Sequence, residues 1–545
     1  MDGSEGHANA GTRRAFLGWA GATATVGLAG CITAIEDRID ADSEGAQQIQ
    51  RGLEAAGIEP PVETTIYANA ENSERVRWTQ LVQHALNETG LFDVGFESLE
   101  WSQYEQLCFN MAENEENALV SLDVSGGWDP HSYVEPLFHS ANHAPAGLNF
   151  NHFAADGVDE LIEDGLAEDD PDRRREIYAE LQRELVEHVP VSPIRFGESV
   201  TVYRQDSIDD WRQYPLPGSE YESVYAPYAG VSTDADGGEL VGDAVAVVSN
   251  TDPINMHDTT SNMATGLLYE GLLAVDFDGT PQPQLAADWT QLEETTYRFD
   301  LREDVNFHNG ETLTAEHVRF SLDRYEGTPR ENDVFEWYDH TEIVDETTLE
   351  IHLTEPYGPF ETSVGLPIVP LAADEDDGVD LSATPVGTGP YEFADRSDGE
   401  YWDLERFDDH WFDGDDDVPA EAPIETVRMR IIDEPASRQA ALETGEIDLA
   451  TGVPTESVGG FVDDDSFAVE RTVAGQFDFL IYPRYLEPFD RTEVRRGIDR
   501  LLPRTRILED VYDGYGSVAY TTVPPLLEAF ADPDLEDEIV AEYFE

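Results

Sequence analysis

The stretch VETTIYANAENSERVRWTQLVQHALNETGLFDVGFESL, residues 62–99, decides the fold class. Val62 to Tyr67 alternates like a half-buried strand. Trp78, Leu81, Val82, Ala85 and Leu86 then fall at i, i+3, i+4, i+7 and i+8, one face of a helix, which Gly90 stops. Asp93 to Leu99 reads as strand again. Two strands joined by a helix pair in parallel, so the unit is an α/β signature. Upstream, Ser43 is placed to cap a helix from Glu44 to Ala56, ended by Gly57 and then Pro60-Pro61. Downstream, Asp172 to Val189 is a helix with Ile177, Leu181 and Leu185 on one stripe, stopped by Pro190. Residues 232–238, Ser-Thr-Asp-Ala-Asp-Gly-Gly, have linker composition. A second start follows: a strand from Leu240 to Val248, a helix from Met263 to Leu273, and a β-rich stretch through Trp289, Tyr297 to Phe299 and Leu349 to Leu353. No repeat relates the segments on the two sides of the linker.

The chain of 545 residues is long enough for several domains and a sizeable core. Its formal charge is −85, and all 31 basic residues are Arg. Without Lys there is no Walker A phosphate grip and no Lys Schiff base. Such a field repels nucleic acid, so no nucleic-acid partner is expected. With 40% apolar and 10% aromatic residues the composition is globular. The acidity is therefore read as surface suited to molar salt, where the Debye length is roughly 3 Å; a halophilic owner is expected.

Thr12-Arg13-Arg14-Ala15-Phe16-Leu17 reads as a twin-arginine export motif. The apolar run from Ala15 to Gly30 is shorter than the roughly 20 residues a span requires and suits a signal segment. It ends in Leu28-Ala29-Gly30-Cys31, which resembles a lipobox, so Cys31 is the expected lipidation site. Cys108 is then unpaired and expected to pack as a small apolar residue. The expected location is the outer face of the cell membrane, held by the lipid anchor.

From Leu240 onward the sequence resembles the family 5 extracellular solute-binding proteins of ABC importers, the dipeptide, oligopeptide and nickel binders. The resemblance rests on an ordered set of motifs. Asp252-Pro253-Ile254-Asn255-Met256-His257 and Leu268-Tyr269-Glu270-Gly271-Leu272 come first, then Leu285-Ala286-Ala287-Asp288-Trp289 and Tyr297 to Arg302. Val305-Asn306-Phe307-His308-Asn309-Gly310-Glu311 and Pro385 to Tyr391 follow, and Arg438 to Leu442, Gly445-Glu446-Ile447-Asp448 and Pro488-Phe489-Asp490 complete the set. Residues 43–228 resemble the part that follows Pro524-Pro525 in the family. Ala46 to Gly57 is similar to its next helix, Gly127-Trp128-Asp129-Pro130 with Leu137-Phe138 to its Trp/Asp-Pro motif, and Arg174 to Pro193 to its late helix and strand.

The resemblance implies an α/β, bilobal periplasmic-binding-protein fold of class II with a ligand cleft, here circularly permuted. The expected organisation is a signal at 1–31, a tether at 32–42, the second lobe at 43–187 and 476–545, and the first lobe at 188–475. Within the first lobe, 188–228 returns, 229–239 links and 240–475 carries the family's amino-terminal part. The implied function is that of a substrate-binding protein delivering peptides to a membrane permease served by a separate ATPase. Sugars, nickel chelates or other small solutes are alternatives within the family. A surface interaction protein or a rearranged inactive relative is the alternative of another class. No enzyme activity is expected: neither G-x-S-x-G nor H-E-x-x-H occurs.

Thr260, Ser261 and Asn262 lie in the loop that lines the cleft in this family. Trp128 belongs to its cleft motif, and Asp129 is expected to cap a helix. Gly126 stands where peptide binders carry a carboxylate, which makes Asp123 the nearest partner for a ligand ammonium. Phe477 and Tyr482 lie on the expected crossover strand. Gly387-Thr388-Gly389-Pro390 is expected to be a tight turn. His131, His139, His143 and His152 are read as scattered loop residues, so neither a metal site nor a cofactor is expected.

Overall fold

The computed structural model describes residues 43–235, 238–256, 258–374 and 378–544. Arg13, Arg14, Cys31 and the tether at 32–42 lie outside the described residues. Among the described residues no helix is long and apolar enough to cross a membrane.

Helix α1 (Glu44–Ala56) starts where Ser43 Oγ accepts the Ala46 N–H, and ends at Gly57, whose φ of 71° closes the last turn. Strand β1 (Val62–Asn69), helix α2 (Ser73–Glu88) and strand β2 (Phe92–Leu99) follow as the periodicity predicts. β1 and β2 are parallel, with Val62 opposite Phe92. α2 buries Trp78, Val82, Ala85 and Leu86. Strand β3 (Ala118–Ser125) lies parallel to β1 on its other side. Helix α3 (Pro171–His188) leads through Val189, at φ 47°, into the long strand β4 (Val191–Arg204).

The second start gives strand β5 (Glu239–Ala244), shorter than the expected 240–248. Helix α4 spans Thr259–Thr265, not the expected 263–273. Its true cap is Asp258, whose Oδ1 accepts the Ser261 N–H at 2.8 Å. Beyond it the chain must pass close to other backbone: a Cβ on Gly271 would lie 2.4 Å from the Gly365 carbonyl carbon. Strands β6 (Ala286–Glu293), β7 (Thr296–Leu301), β8 (Tyr338–Ile343) and β9 (Thr348–Leu353) form an antiparallel sheet in the order β6-β7-β9-β8. Strands β10 (Tyr391–Ser397), β11 (Tyr401–Arg406) and β12 (Thr426–Ile431) form a second sheet with β5, in the order β10-β11-β12-β5. One continuous core packs these two sheets, with Leu240, Phe299, Trp337, Ile351, Trp402 and Val427 buried in it.

The short strand β13 (Leu449–Ala450) then pairs with β4, and the fifteen-residue strand β14 (Phe467–Ile481) follows. β14 does not join the sheets that precede it in sequence. It fills the slot between β3 and β4, antiparallel to both, in a sheet of order β13-β4-β14-β3-β1-β2. Strand β15 (Ser517–Val518) adds to β4. The register along β14 breaks between Val473 and Phe477. One face of this sheet buries Leu122, Leu181, Phe196 and Phe479. The other buries residues of α1 and α2 against helices α5 (Thr492–Leu501) and α6 (Arg504–Tyr512).

The contact of α1 with α5 is close enough to require glycine. A Cβ on Gly45 would meet the Gly497 carbonyl oxygen at 2.8 Å, and one on Gly497 would meet the Gly45 oxygen at 2.7 Å. Buried polar bonds join the same two stretches of chain. Arg195 Nε donates to Asp478 at 2.9 Å across β4 and β14, and its guanidinium stacks 3.4 Å from the Tyr512 ring. Arg495 donates to the carbonyls of Val189 and His188 at 2.9 and 2.7 Å.

The stretch expected as a free linker, 229–239, is largely held. Val231–Ser232 pairs with Tyr225–Ala226, and Asp234–Ala235 pairs with residues 208–210. Thr233 Oγ1 donates to the Ser223 carbonyl at 2.6 Å. Composition misjudged this segment because two-residue strands need no apolar run, only free partner edges.

Candidate functional site

A cavity of about 390 Å³ opens where the turn after β3 meets the segments around residues 214–228 and 262–275. Its position starts with Asp129. Arg174 on α3 grips that carboxylate with both terminal nitrogens, at 2.5 and 2.8 Å, and the His131 N–H also donates to it at 2.9 Å. The expected N-cap role of Asp129 is not what the structure shows: Pro130 is the N-cap of the helix His131–Phe138, and Asp129, one residue earlier, serves a buried ion pair. This fixes the neighbouring Trp128. Its indole Nε1 donates to Tyr214 Oη at 3.0 Å, and that hydroxyl donates to the Val275 carbonyl at 2.7 Å. Trp128 is 9% exposed; it is both packed and a wall of the cavity.

Two carboxylates line the same space, Glu222 and Glu270. Glu270 sits in an apolar run and is buried, so its lone pairs need donors. Thr388 Oγ1 supplies one at 2.9 Å and Trp411 Nε1 another at 2.8 Å, while His410 Nε2 lies 3.2 Å from the second oxygen. The Gly387-Thr388-Gly389 turn delivers Thr388 by pressing onto Leu268, whose carbonyl oxygen a Cβ on Gly387 would meet at 2.0 Å. The turn expected from the sequence is therefore a brace for Glu270. Glu222 accepts the Tyr228 hydroxyl; burial pushes its carboxyl above the ordinary range, which this bond opposes. Beside it, Glu220 is pushed up to about 7 by burial, against an opposing bond from the Gly218 N–H. Among the described residues that line the cavity there is no Arg and no His. Tyr214, Tyr228, Tyr269 and Met256 supply the rest of its character. The chemistry this offers is an acidic space with aromatic walls, suited to a cationic group.

Of the residues expected at the cleft, the structure brings Trp128 and Asn262 to this cavity. Thr260 and Ser261 are buried in the first turn of α4, where Ser261 Oγ donates to Asp258 at 2.8 Å and receives the Ser249 N–H at 3.0 Å. Asp123 lies elsewhere, at the edge of an apolar pocket of about 230 Å³. It already has a counter-charge in Arg75 and a bond from Gln476 at 2.8 Å. Phe477 is a core side chain stacked on Phe479 at 5.0 Å. Tyr482 is fully buried, its hydroxyl 2.5 Å from Ser192 Oγ. Strand alternation left open which face Phe477 takes, and it takes the core face; Tyr482, expected on the same strand, lies just past the end of β14 and is also buried in core. Glu222 and Glu270 were not singled out from the sequence. An acid inside the apolar run Leu267 to Val275 was the available signal for Glu270. None distinguished Glu222 among so many surface acids.

His139 pairs with Glu163 at 3.2 Å. His143 and His152 stack at 4.6 Å, with their Nε2 atoms 3.0 and 2.7 Å from the carbonyls of Phe153 and Ala144. These three rings are engaged locally, whereas His131 is not a loop residue: it opens the helix His131–Phe138, buried, with neither ring nitrogen hydrogen-bonded. Cys108 is free and buried, its thiol pushed up to about 12 by burial, in keeping with a packing role.

Residues 280–541 match the model of the bacterial extracellular solute-binding proteins, family 5, middle region. The glutathione-binding protein GsiB of Salmonella typhimurium is 26% identical over 291 residues, 52% of this chain and 56% of that protein; GsiB of Escherichia coli O157:H7 matches to the same extent. The chain thus spans about half the length of the curated relatives it matches. Among solved structures, the periplasmic binding protein DppA of Helicobacter pylori, in complex with the peptide STSA, is 28% identical. It covers 42% of this chain and 49% of its own, at a TM-score of 0.38. NikZ of Campylobacter jejuni, in complex with Ni(L-His), is 23% identical over 42% of this chain and 45% of its own, at a TM-score of 0.37.

Proposed function

We propose that this chain, which carries a family 5 extracellular solute-binding domain over residues 280–541, is the ligand-binding component of an ABC importer for short peptides or similar amines. The observation that carries this reading is the pair Glu222 and Glu270 in an aromatic cavity whose described lining holds no Arg or His. An ammonium placed there exchanges water for charge-assisted hydrogen bonds and an aromatic face. Anionic solutes meet two carboxylates and the field of a chain at −85. A cavity of about 390 Å³ lies in the range of small-molecule sites.

Export by the twin-arginine route, lipidation of Cys31 and delivery to a permease served by a separate ATPase belong to the same proposal. So does the permuted order of the segments. What supports permutation is β14, supplied by 467–481 to the slot between β3 and β4. On this reading the chain passes between lobes at the register break of β14 and opposite it in β4, near Gly197.

The test uses the full chain in molar KCl. Bound solute is released by denaturation and identified by mass spectrometry, and binding of a cationic dipeptide is compared with its N-acetylated form. N-acetylation is expected to weaken binding by about tenfold or more, the loss of one charge-assisted bond. Equal affinity for the two forms would remove Glu222 and Glu270 as the ammonium site.

A further inference from the structure

Away from the cavity, the outer face of the β6-β7-β9-β8 sheet carries a second arrangement of donor atoms. β8 and β9 place His340 opposite His352 and Glu342 opposite Glu350. Because side chains alternate along a strand, these four share one face, with Thr341 and Ile351 turned to the core. One ligand atom each of Glu342, Glu350 and His352 lies within 4.8 Å of the others. The two rings stack at 4.4 Å and 4°.

Three details set this grouping apart from a chance cluster of surface acids. Like charges directly opposite on antiparallel strands are destabilising, yet Glu342 faces Glu350. Arg298, opposite Glu350 on β7, directs its hydrogen bonds to Asp300. Second, His352 Nε2 is closed off from solvent and has no hydrogen-bond partner. It lies 4.0 Å from Glu342 Oε2, too far for a hydrogen bond and wider than the roughly 3.3 Å between two tetrahedral ligands each about 2 Å from one ion, so a small inward turn of the exposed Glu342 side chain completes the pair. Third, His352 Nδ1 lies 3.2 Å from Thr296 Oγ1. With Nδ1–H donating to that hydroxyl, Nε2 presents its lone pair, the second-sphere hydrogen bond common to metal-binding imidazoles.

We propose that Glu342, Glu350 and His352 bind a divalent first-row transition ion of the Zn²⁺ class, clipping β8 to β9, with His340 stacked on the ligand ring. One nitrogen and two carboxylates suit Zn²⁺ or its neighbours better than Mg²⁺, which prefers all-oxygen shells. The site is separate from the cavity, so its fate is independent of the transport reading.

The experiment takes the chelator-treated full chain in molar KCl, with a large excess of Mg²⁺ to occupy surface carboxylates, and titrates ZnCl₂ by equilibrium dialysis. One Zn²⁺ retained per chain is expected, weakened by about tenfold or more in His352→Ala and in Glu350→Gln. Co²⁺ substitution is expected to give visible absorption that His352→Ala abolishes. Equal Zn²⁺ uptake by wild type and both variants, or no uptake in excess Mg²⁺, would overturn the site. If His352→Ala fails to fold, Glu342→Gln carries the comparison, because that side chain is exposed and its loss relieves repulsion.

Discussion

Three carboxylates show how far chemistry depends on surroundings. Glu270 has two donors and a histidine around it and faces the cavity, so Glu270→Gln is expected to weaken a cationic ligand by about tenfold. Asp123 is already neutralised by Arg75. Asp123→Asn is therefore expected to leave ligand affinity unchanged while lowering stability, because it strands a buried guanidinium, a loss of roughly 3–5 kcal/mol in such pairs. Parallel titration and thermal melting separate the two variants. Glu220 supplies a pH signature. Burial raises its carboxyl from 4.5 to about 7, so the folded state holds the proton more tightly than the unfolded one. Its contribution to stability is greatest below pH 4.5 and is lost as pH rises to about 7. Glu220→Gln is expected to flatten that slope in melts taken across this window. An unaltered slope would mean that another group sets it.

Among the elements, the crossing of α1 and α5 is the most sensitive to a single atom. Gly497→Ala should gain up to about 1 kcal/mol in helix propensity. The new Cβ, however, would lie 2.6 Å from Ile49 Cγ1 and 2.7 Å from the Gly45 carbonyl oxygen. Backbone on both sides cannot give way, and overpacking of this kind costs about 1–3 kcal/mol. The clash wins, and a lower melting temperature is expected. A variant as stable as wild type would mean that the helices can separate at no penalty. At this scale the sequence was largely legible. The caps at Ser43 and Gly57 and the stripe of α2 are local features, and they stand where periodicity put them. α4 was misplaced because Asp258 takes the cap, so that the helix starts at Thr259, ahead of Met263. The short strands at 231–235 were missed because two-residue strands carry no apolar run to mark them, and Asp234–Ala235 takes its partner from residues 208–210.

For the whole molecule, the central fact is that β14 (Phe467–Ile481) completes a sheet begun at Val62, in the slot between β3 and β4. A protease site inserted at 236–237 is expected to yield two fragments that co-elute, held by β14, the α1–α5 crossing and the Arg195–Asp478 pair. Separate elution of two folded pieces would refute the single body. The charge of −85 predicts a second bulk property. The melting temperature should rise between about 0.1 and about 3 M KCl, as the Debye length falls from about 10 Å to below about 3 Å. A salt-independent melt would exclude self-repulsion as a control on stability.

By itself the sequence determined what short-range physics encodes: the α/β periodicities, the helix stops at Gly57 and Pro190, the acidic surface and the run of motifs from Leu240 onward. The tertiary structure alone decided which acids matter. Glu270 becomes a site candidate, and Asp123 does not, because Thr388, Trp411 and Arg75 approach them from distant parts of the chain; Glu222 joins it because the chain folds both acids onto one cavity. It also decided that Phe477 and Tyr482 face core. Alternation tells which residues share a face of a strand, and only the packed layers on each side decide which face is buried.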